Sequence, residues 1–446
     1  MIDNASSLSR SVELFGLRRT WQVAREHSPF YRDWLPDLDK DAITIDALRA
    51  LPVLTKNTLS ENYLDIYGDK DLPAGVLFTG GTTGAPQMVP VTSDEIAFRN
   101  ELAVLDEQDT PHRTLTLVTS GGSQGRLQSI SADRDTVCVP LRSKSGYDWA
   151  WRMLTRTHKF RNAPARVTRL ALPLPAIKKL VNYMAENGFD RSDLALDIAL
   201  SFSSYVSRGW RARIEQALGA KLVDCYGFTE APVARALECK DCGHYHMPES
   251  VIAEYLAIDS DDPVEAGIAR LCVTTLYPNT QGLILFRYDP GDIVKVGPLC
   301  PRTKTKGFLP KGRRSQTVSI KKGERSILPI FATDVQEALD IHHWVARSRN
   351  LRHGGVTASE DDSWPKWRLS IGDAISTGKV PVILEVELTS GPAFFHDEWK
   401  SFHDAVYETV LAENPHLTHL ITTQAVDFQI RGLSPGMIAE NEIVRC

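Results

Sequence analysis

The chain has 446 residues, 24% of them charged and 42% hydrophobic, with a net charge of −5 at pH 7. This is ordinary globular composition with material for two or three domains, and the slight acidic balance excludes a nucleic-acid footprint or a polybasic membrane patch. Seven cysteines, an odd number, do not make a disulfide framework, no apolar run nears the ~18 residues of a membrane span, and the polar start Met1-Ile2-Asp3-Asn4-Ala5 is not a secretory signal, so a cytoplasmic protein is expected.

Leu14, Leu17, Trp21 and Ala24 recur every three or four residues and predict an amphipathic helix near the start. Leu51-Pro52-Val53-Leu54-Thr55-Lys56 interrupts that region, because proline disfavours helix at the residue before it. Phe78-Thr79-Gly80-Gly81-Thr82-Thr83-Gly84-Ala85-Pro86-Gln87 then joins the apolar run Ala74 to Phe78 to the β-rich run Met88 to Val91. Glycine reaches positive φ cheaply. The segment therefore reads either as a plain hairpin turn or as a cradle whose N–H groups and hydroxyls wrap an anion. It lacks the lysine of the Walker pattern.

Glu95 to Leu105, Ala176 to Asn187 and Ser207 to Leu218 read as helices, the last on the spacing of Val206, Trp210, Ile214 and Leu218. Leu115 to Thr119, Arg169 to Leu172 and Leu222 to Cys225 read as strands. Such alternation predicts an α/β sheet with crossover helices. Arg270 to Leu276 and Leu283 to Tyr288 read as strands around a Pro278-Asn279-Thr280-Gln281-Gly282 turn. The Lys/Arg-rich run from Arg302 to Arg314 reads as a solvated linker. Beyond it, Val382 to Leu388 (strand), Asp397 to Leu411 (helix), Leu420 to Gln424 and Val426 to Ile430 (strands) form a small α+β unit.

Four segments carry chemistry in one order: the Gly/Thr loop, Asp224-Cys225-Tyr226-Gly227-Phe228-Thr229-Glu230, Arg287-Tyr288-Asp289-Pro290-Gly291-Asp292, and Gly312-Arg313-Arg314. The series resembles the adenylate-forming superfamily. With Ser28-Pro29-Phe30-Tyr31-Arg32 and the Leu51 to Lys56 stretch, it is most similar to the phenylacetate–CoA ligase branch, from about residue 14 to about 318. The resemblance implies an α/β architecture: a large multi-sheet N-terminal domain (1–312) holding nucleotide and acyl sites, and a smaller mobile α+β cap (313–446).

It also implies a reaction. A carboxylate has oxide as its leaving group and is a poor electrophile, so its attack on the α-phosphorus of ATP converts that oxygen into the better leaving group AMP. Such a step needs phosphate positioning and stabilisation of growing charge on phosphorus. By the resemblance, Thr79, Gly80, Gly81, Thr82, Thr83 and Gly84 hold phosphates, and Thr229 bonds the α-phosphate. Glu230 is a hard oxygen ligand for Mg²⁺. Tyr226 offers its face to adenine, beside backbone from Gly227 and from the Ser201 to Val206 stretch that includes Ser204. Asp292 accepts the ribose hydroxyls, and Arg313 reaches ribose or phosphate. Read alone, Tyr226 is equally a core aromatic and Glu230 a surface carboxylate. Thr119 to Arg126 is a candidate wall of the acyl pocket, with Arg126 a substrate partner or a surface arginine.

Cys239-Lys240-Asp241-Cys242, His246 and the distant Cys300 have residue types suited to tetrahedral zinc, against free cysteines near a loop. With four ligands that zinc would be structural. Cys138, Cys225 and Cys272 lie in apolar runs and read as core. Three positions depart from the resembled pattern: Gln87 stands where a lysine is usual, Ser315 where an aspartate is usual, and no lysine follows Lys400, although one near Gly432 to Ile438 normally bridges carboxylate and phosphate. Arg431 and Arg445 are the nearby cations.

The expected activity is an AMP-forming ligase for a small, aromatic acid, passing the acyl group to CoA, a carrier-protein thiol or an amine. No nucleic-acid or membrane partner is expected, and a homodimer stays open. Two rivals stand beside it: ATP-dependent activation of nitrite to diazotise an aryl amine, and a degenerate protein that binds nucleotide or acyl ligand without turnover.

Overall fold

The computed structural model describes residues 3–68, 73–78, 87–95, 115–119, 136–141, 143–160, 163–322, 325–347, 364–372, 378–394 and 396–438. The N-terminal helices are α1 (Asp3–His27), α2 (Pro29–Trp34), α3 (Ile45–Arg49), α4 (Lys56–Glu61) and α5 (Tyr63–Tyr67). The predicted apolar stripe of α1 buries Leu17, Trp21 and Ala24. The Leu51–Lys56 break becomes strand β1 (Leu54–Thr55) before α4. Strands β2 (Gly75–Phe78) and β3 (Met88–Val91) pair antiparallel, with Phe78 opposite Met88. The Gly/Thr loop between them, and the predicted helix beyond Glu95, lie outside the described residues.

A thirteen-stranded sheet organises the rest of the N-terminal part. One half is parallel: β4 (Leu115–Thr119), β5 (Thr136–Val139), β8 (Val167–Pro173), β9 (Ile198–Phe202) and β10 (Lys221–Tyr226), in the order β5-β4-β8-β9-β10. A short hairpin, β6 (His158–Phe160) with β7 (Ala163–Ala165), stands apart from it. The crossovers are α6 (Lys144–Thr155), α7 (Leu174–Glu186) and α8 (Arg208–Leu218). Their apolar faces supply Ala150, Ile177, Leu180, Ile214 and Leu218 to a core against Leu170, Ala199 and Leu222. Helix α8 starts on Ser207, whose hydroxyl accepts from the Trp210 N–H, and stops at Gly219 in the left-handed region (φ 65°).

The other half is antiparallel: β13 (Val251–Leu256), β14 (Gly267–Thr275), β15 (Tyr288–Asp289), β16 (Asp292–Leu299) and β17 (Lys306–Arg313). Between the halves lies the hairpin β11 (Ala236–Glu238) and β12 (Tyr245–His246). A second core, built with α1, fills this half.

The C-terminal part begins with a hairpin, β18 (Ile320–Lys322) with β19 (Arg325–Ile327), and then α9 (Ala332–Leu339). Its own sheet is β20 (Trp367–Ile371), β21 (Val380–Glu387) and β22 (Val426–Leu433), covered by α10 (His396–Glu413) and α11 (Pro415–Thr422) around a third core. Helix α9 seats this unit on the parallel half. The Tyr205 hydroxyl donates to Glu337 Oε1 (2.6 Å), and the Arg208 N–H at the start of α8 reaches both Glu337 oxygens (3.0 and 3.2 Å). Lys178 of α7 sits 4.0 Å from Asp340, and both side chains are buried. Among the described residues no helix is long and apolar enough to cross a membrane.

Four expectations are corrected. Leu283–Phe286 is buried but not a strand, because the Thr274 and Thr275 hydroxyls take the N–H groups of Arg287 and Leu285 (2.9 and 3.0 Å) in place of a regular ladder. The basic run 302–314 is not a linker: most of it is β17, whose charges pair with Glu265, Asp334 and Asp292 while Phe308 turns inward. Leu420 to Gln424 belongs to the end of α11 and its cap; Pro415 at the first turn and Asn414 as N-cap start a helix that buries Leu417 and Leu420, three apart. Cys138 is exposed on the edge strand β5, whereas Cys225 and Cys272 are buried.

Candidate nucleotide site and metal cluster

Strands β9 and β10 run parallel with Ser201 opposite Asp224 and Phe202 opposite Cys225. Their carboxyl ends therefore deliver the Ser203–Val206 and Tyr226–Glu230 segments side by side, where open α/β sheets place ligands. Ser203 has φ 79°, a sharp exit that few side chains adopt. The Ser204 hydroxyl is buried without a hydrogen-bond partner among the described residues. Under this edge Asp224 is clamped by the hydroxyls of Ser201 and Tyr245, the latter at 2.6 Å. Burial pushes the Asp224 carboxyl up to about 6.

From the antiparallel half come Asp292, which opens β16, and its register partner Arg313, which ends β17. The Tyr226 hydroxyl donates to Asp292 Oδ2 at 2.6 Å, and Arg313 Nε stands 3.7 Å from Oδ1. Burial holds the Asp292 carboxyl above its ordinary range; the charges of Glu230 and Asp289 add to this, while Arg313 and the Tyr226 hydrogen bond oppose it. Burial, then the charge of Asp292, drives the Tyr226 phenol far above its ordinary range, so Tyr226 remains a donor. Its ring stands edge-on to Phe308 (centroids 5.1 Å apart, 84°).

Glu230 is buried, and its Oε1 accepts from the Tyr288 hydroxyl at 3.1 Å. Three carboxylates from two segments, Glu230 from one and Asp289 and Asp292 from the other, thus act on Tyr288. Asp289 is fully employed: it accepts from the Gly291 N–H (2.7 Å), Arg314 (3.1 Å) and Arg270 (3.3 Å). Arg287, buried with φ 45°, pins this segment through Glu254 (3.1 Å) and the Arg49 carbonyl (2.8 Å). An acidic edge with a hard carboxylate beside it suits a polyhydroxylated, Mg²⁺-bearing phosphate ester, and Glu230 has the donor type that magnesium prefers.

Tyr226, Glu230, Asp292 and Arg313 thus come together, with Thr229 and Gly227 on the same loop. Thr79, Gly80, Gly81, Thr82, Thr83 and Gly84, and the 120–126 stretch with Arg126, lie outside the described residues, as does Arg445. Arg431 lies on β22, its guanidinium on Gln429 (3.0 Å). Sequence reasoning missed Tyr288, Ser201, Tyr245 and Phe308. Tyr288 sits inside the third motif and Tyr245 between two histidines, but only the fold shows that their hydroxyls reach Glu230 and Asp224.

The four expected metal ligands meet. The ligand atoms of Cys239, Cys242, His246 and Cys300 all lie within 4.8 Å of one another. Cys239 and Cys300 sulfurs are 3.8 Å apart, and Cys242 Sγ is 3.1 Å from His246 Nε2. A tetrahedron with zinc–sulfur bonds of about 2.3 Å has edges of about 3.8 Å, so donor type and spacing fit zinc. The other ring nitrogen of His246 lies 3.1 Å from the Thr305 hydroxyl, which orients Nε2 toward the sulfurs. Burial, with the neighbouring thiols, raises Cys242, while backbone donors of Thr303 and Arg302 lower Cys300. His244 turns away to the Cys242 carbonyl (2.8 Å).

No protein-family model matches this sequence, and no curated protein matches it. Solved structures do match. A 2-hydroxyisobutyryl-CoA ligase in the postadenylation state, in complex with R3-HIB-AMP, aligns over 98% of this chain and 89% of its own at 17% identity and TM-score 0.65. An open conformation of that ligase with 2-HIB-AMP and CoA aligns over 96% and 89% at 16% identity and TM-score 0.65. An ATP-bound RpMatB–BxBclM chimera aligns over 80% and 64% at 13% identity and TM-score 0.50. The chain therefore has the fold of the adenylate-forming ligases.

Proposed function

We propose that this chain, built on the adenylate-forming fold, is an AMP-forming ligase that activates a small carboxylic acid with ATP and passes the acyl group to CoA. One observation carries the reading: Tyr226, Glu230, Asp292 and Arg313, scattered over nearly ninety residues, converge on one edge through contacts of 2.6 Å (Tyr226–Asp292) and 3.7 Å (Arg313–Asp292). That edge has the polarity a nucleotide needs. Asp292 accepts two ribose hydroxyls, with Arg313 holding its charge. The Tyr226 ring, with backbone of Gly227 and the Ser204 segment, flanks adenine. Thr229 and the loop threonines Thr79, Thr82 and Thr83, with Gly80, Gly81 and Gly84, orient the phosphates. Glu230 holds Mg²⁺, which supplies charge neutralisation at the phosphates.

The acid's carboxylate oxygen attacks the α-phosphorus, pyrophosphate leaves, and an acyl-AMP forms. The thiol of the acceptor then attacks the acyl carbon and AMP departs. The unit from 313 onward is the cap, with Gly312 (φ 104°) at the joint. The cysteine–histidine cluster is a closed four-ligand zinc site with a structural role. Aromatic acids are the first substrates to test, and short hydroxy acids, whose adenylate is bound in the similar 2-hydroxyisobutyryl-CoA ligase, are the second.

The absence of any lysine after Lys400 favours a second reading in which nitrite replaces the acid. Pyrophosphate release across a panel of aromatic and 2-hydroxy acids with CoA tests the first; the same assay with nitrite and an aryl amine tests the second. ATP-dependent turnover with an acid is expected. A folded sample that binds ATP and releases no pyrophosphate with any carboxylic acid overturns the ligase reading; no release with nitrite and an aryl amine either leaves a binding protein.

A further inference from the structure

The thirteen-stranded sheet has a thin joint. Its parallel half reaches its antiparallel half through the β11–β12 hairpin. Strand β12 is two residues long and meets β17 at a single register pair, Tyr245 with Phe308. By contrast, β9 and β10 pair over five consecutive positions. The candidate nucleotide site straddles this joint. Tyr226 and the Ser204 segment belong to the parallel side; Asp292 and Arg313 belong to β16 and β17. The chain itself crosses between the two sides at residues 247–250, from β12 to β13, away from β16 and β17 in the strand order.

The cysteine–histidine cluster lies on the same joint, and its ligands come from both sides. Cys239, Cys242 and His246 belong to the β11–β12 hairpin, whereas Cys300 sits in the turn between β16 and β17. Two glycines make room for it. A Cβ on Gly297 of β16 would come within 2.4 Å of the His244 ring, and one on Gly307 of β17 within 2.9 Å of the His246 ring and 2.5 Å of His244 Cβ. Bare backbone at these positions leaves room for the His244 and His246 side chains as they lie against β16 and β17. One residue from His246, Tyr245 donates to Asp224, and Phe308 opposite it packs edge-on against Tyr226. The cluster is thus joined to the nucleotide edge through Tyr245, Phe308 and Tyr226.

We infer that the metal-loaded cluster staples the two half-sheets together and so sets the approach of Tyr226 to Asp292, with Gly297 and Gly307 as positioning residues. This rests on the nucleotide-site reading above. The test uses full-length protein loaded with Zn²⁺, the same protein stripped by a chelator, and the Cys300→Ser and Gly307→Ala variants, with AMP affinity by calorimetry and amide exchange as readouts. Stripping is expected to weaken AMP binding about tenfold, reversibly on adding Zn²⁺, and to speed exchange in β12 and β17 at least tenfold, while exchange in α7 is unchanged. Cys300→Ser should match the stripped protein; Gly307→Ala should weaken uptake of Co²⁺, read by its thiolate absorption, at least tenfold. Cys138→Ser, on an exposed cysteine far along the sheet, should change nothing. Where a variant fails to fold, the chelated wild type still decides. AMP bound equally by stripped and loaded protein overturns the staple and spares the nucleotide reading. AMP bound by neither overturns both, and a wild type that takes up neither Zn²⁺ nor Co²⁺ overturns the staple.

Discussion

Buried carboxylates do opposite jobs at two places in this molecule. At the seam where α9 meets α7 and α8, their oxygens are occupied by protein donors. Glu337 takes Tyr205 and the Arg208 backbone, and Asp340 takes Arg347 (3.1 Å), Gln336 (3.2 Å) and, at 4.0 Å, the ammonium of Lys178. Lys178 also lies over the Trp210 ring at 4.6 Å. At the edge where Tyr226 of β10 reaches Asp292 of β16, Asp292 has, among the described residues, one short hydrogen bond, from Tyr226, and a cation just beyond hydrogen-bond distance; Glu230 has one among them, from Tyr288. The difference separates holding from binding. A carboxylate whose lone pairs are consumed fixes an orientation; one with acceptor capacity left can take a ligand's donors or a cation.

The largest expected effect is at the seam. Asp340→Ala removes the carboxylate that faces the Lys178 and Arg347 charges in a buried interface, and removing one partner of a buried pair costs about 3–5 kcal/mol. Urea denaturation should show that loss, while AMP binding to the folded fraction stays within about threefold of wild type. Asp292→Ala should invert the pattern. Two charge-assisted ribose bonds, at about 1.5–2 kcal/mol each, make the expected loss of AMP affinity about 10²–10³-fold, with stability changed by less than about 1 kcal/mol. Equal affinity in wild type and variant would remove Asp292 from the site. Glu230→Ala is expected to lower Mg²⁺-dependent pyrophosphate release about 100-fold while AMP affinity moves less than about threefold; a matching fall in both would make Glu230 a binding residue rather than a metal ligand.

The sequence carries a good part of this. The spacing of Trp210, Ile214 and Leu218 is enough for α8, and the ordered motifs are enough to group Tyr226, Asp292 and Arg313 without any knowledge of where the chain folds. The membership of the cysteine–histidine cluster is legible to the residue, because thiols and imidazole are picked out by their chemistry. What is illegible depends on long-range pairing. Phe308 in a basic run looks like linker because Lys306, Lys311 and Arg313 find their counter-charges far away, at Glu265, Asp334 and Asp292. Leu420 to Gln424 looks like a strand because a short apolar run has no period of its own until Asn414 caps the helix before it. The seam is invisible, since nothing local says that Lys178 and Asp340, 162 positions apart by their numbers, share one dry contact.

Asp224 tests the comparison from a third side, with the smallest effect. Its oxygens are as fully occupied as those of Asp340, yet its direct partners are the hydroxyls of Ser201 and Tyr245 rather than a cation; Arg211 and Glu238 act on it from further off with opposite signs. Burial therefore wins, and its folded value near 6 lies above the roughly 3.9 of an unfolded aspartate. Between about pH 4 and pH 6 the native chain keeps a proton that the unfolded chain has released. Stability from this group is fully present below about pH 4 and is lost as pH rises through about 6, a fall of about 3 kcal/mol. Asp224→Asn cannot titrate, so the wild-type stability curve minus the variant curve should slope downward across that window and be flat above about pH 7. Parallel curves would mean that Asp224 is ionised throughout, which requires a cation closer than Arg211 and would make it a twin of Asp340 rather than a carboxylate held by hydroxyls alone.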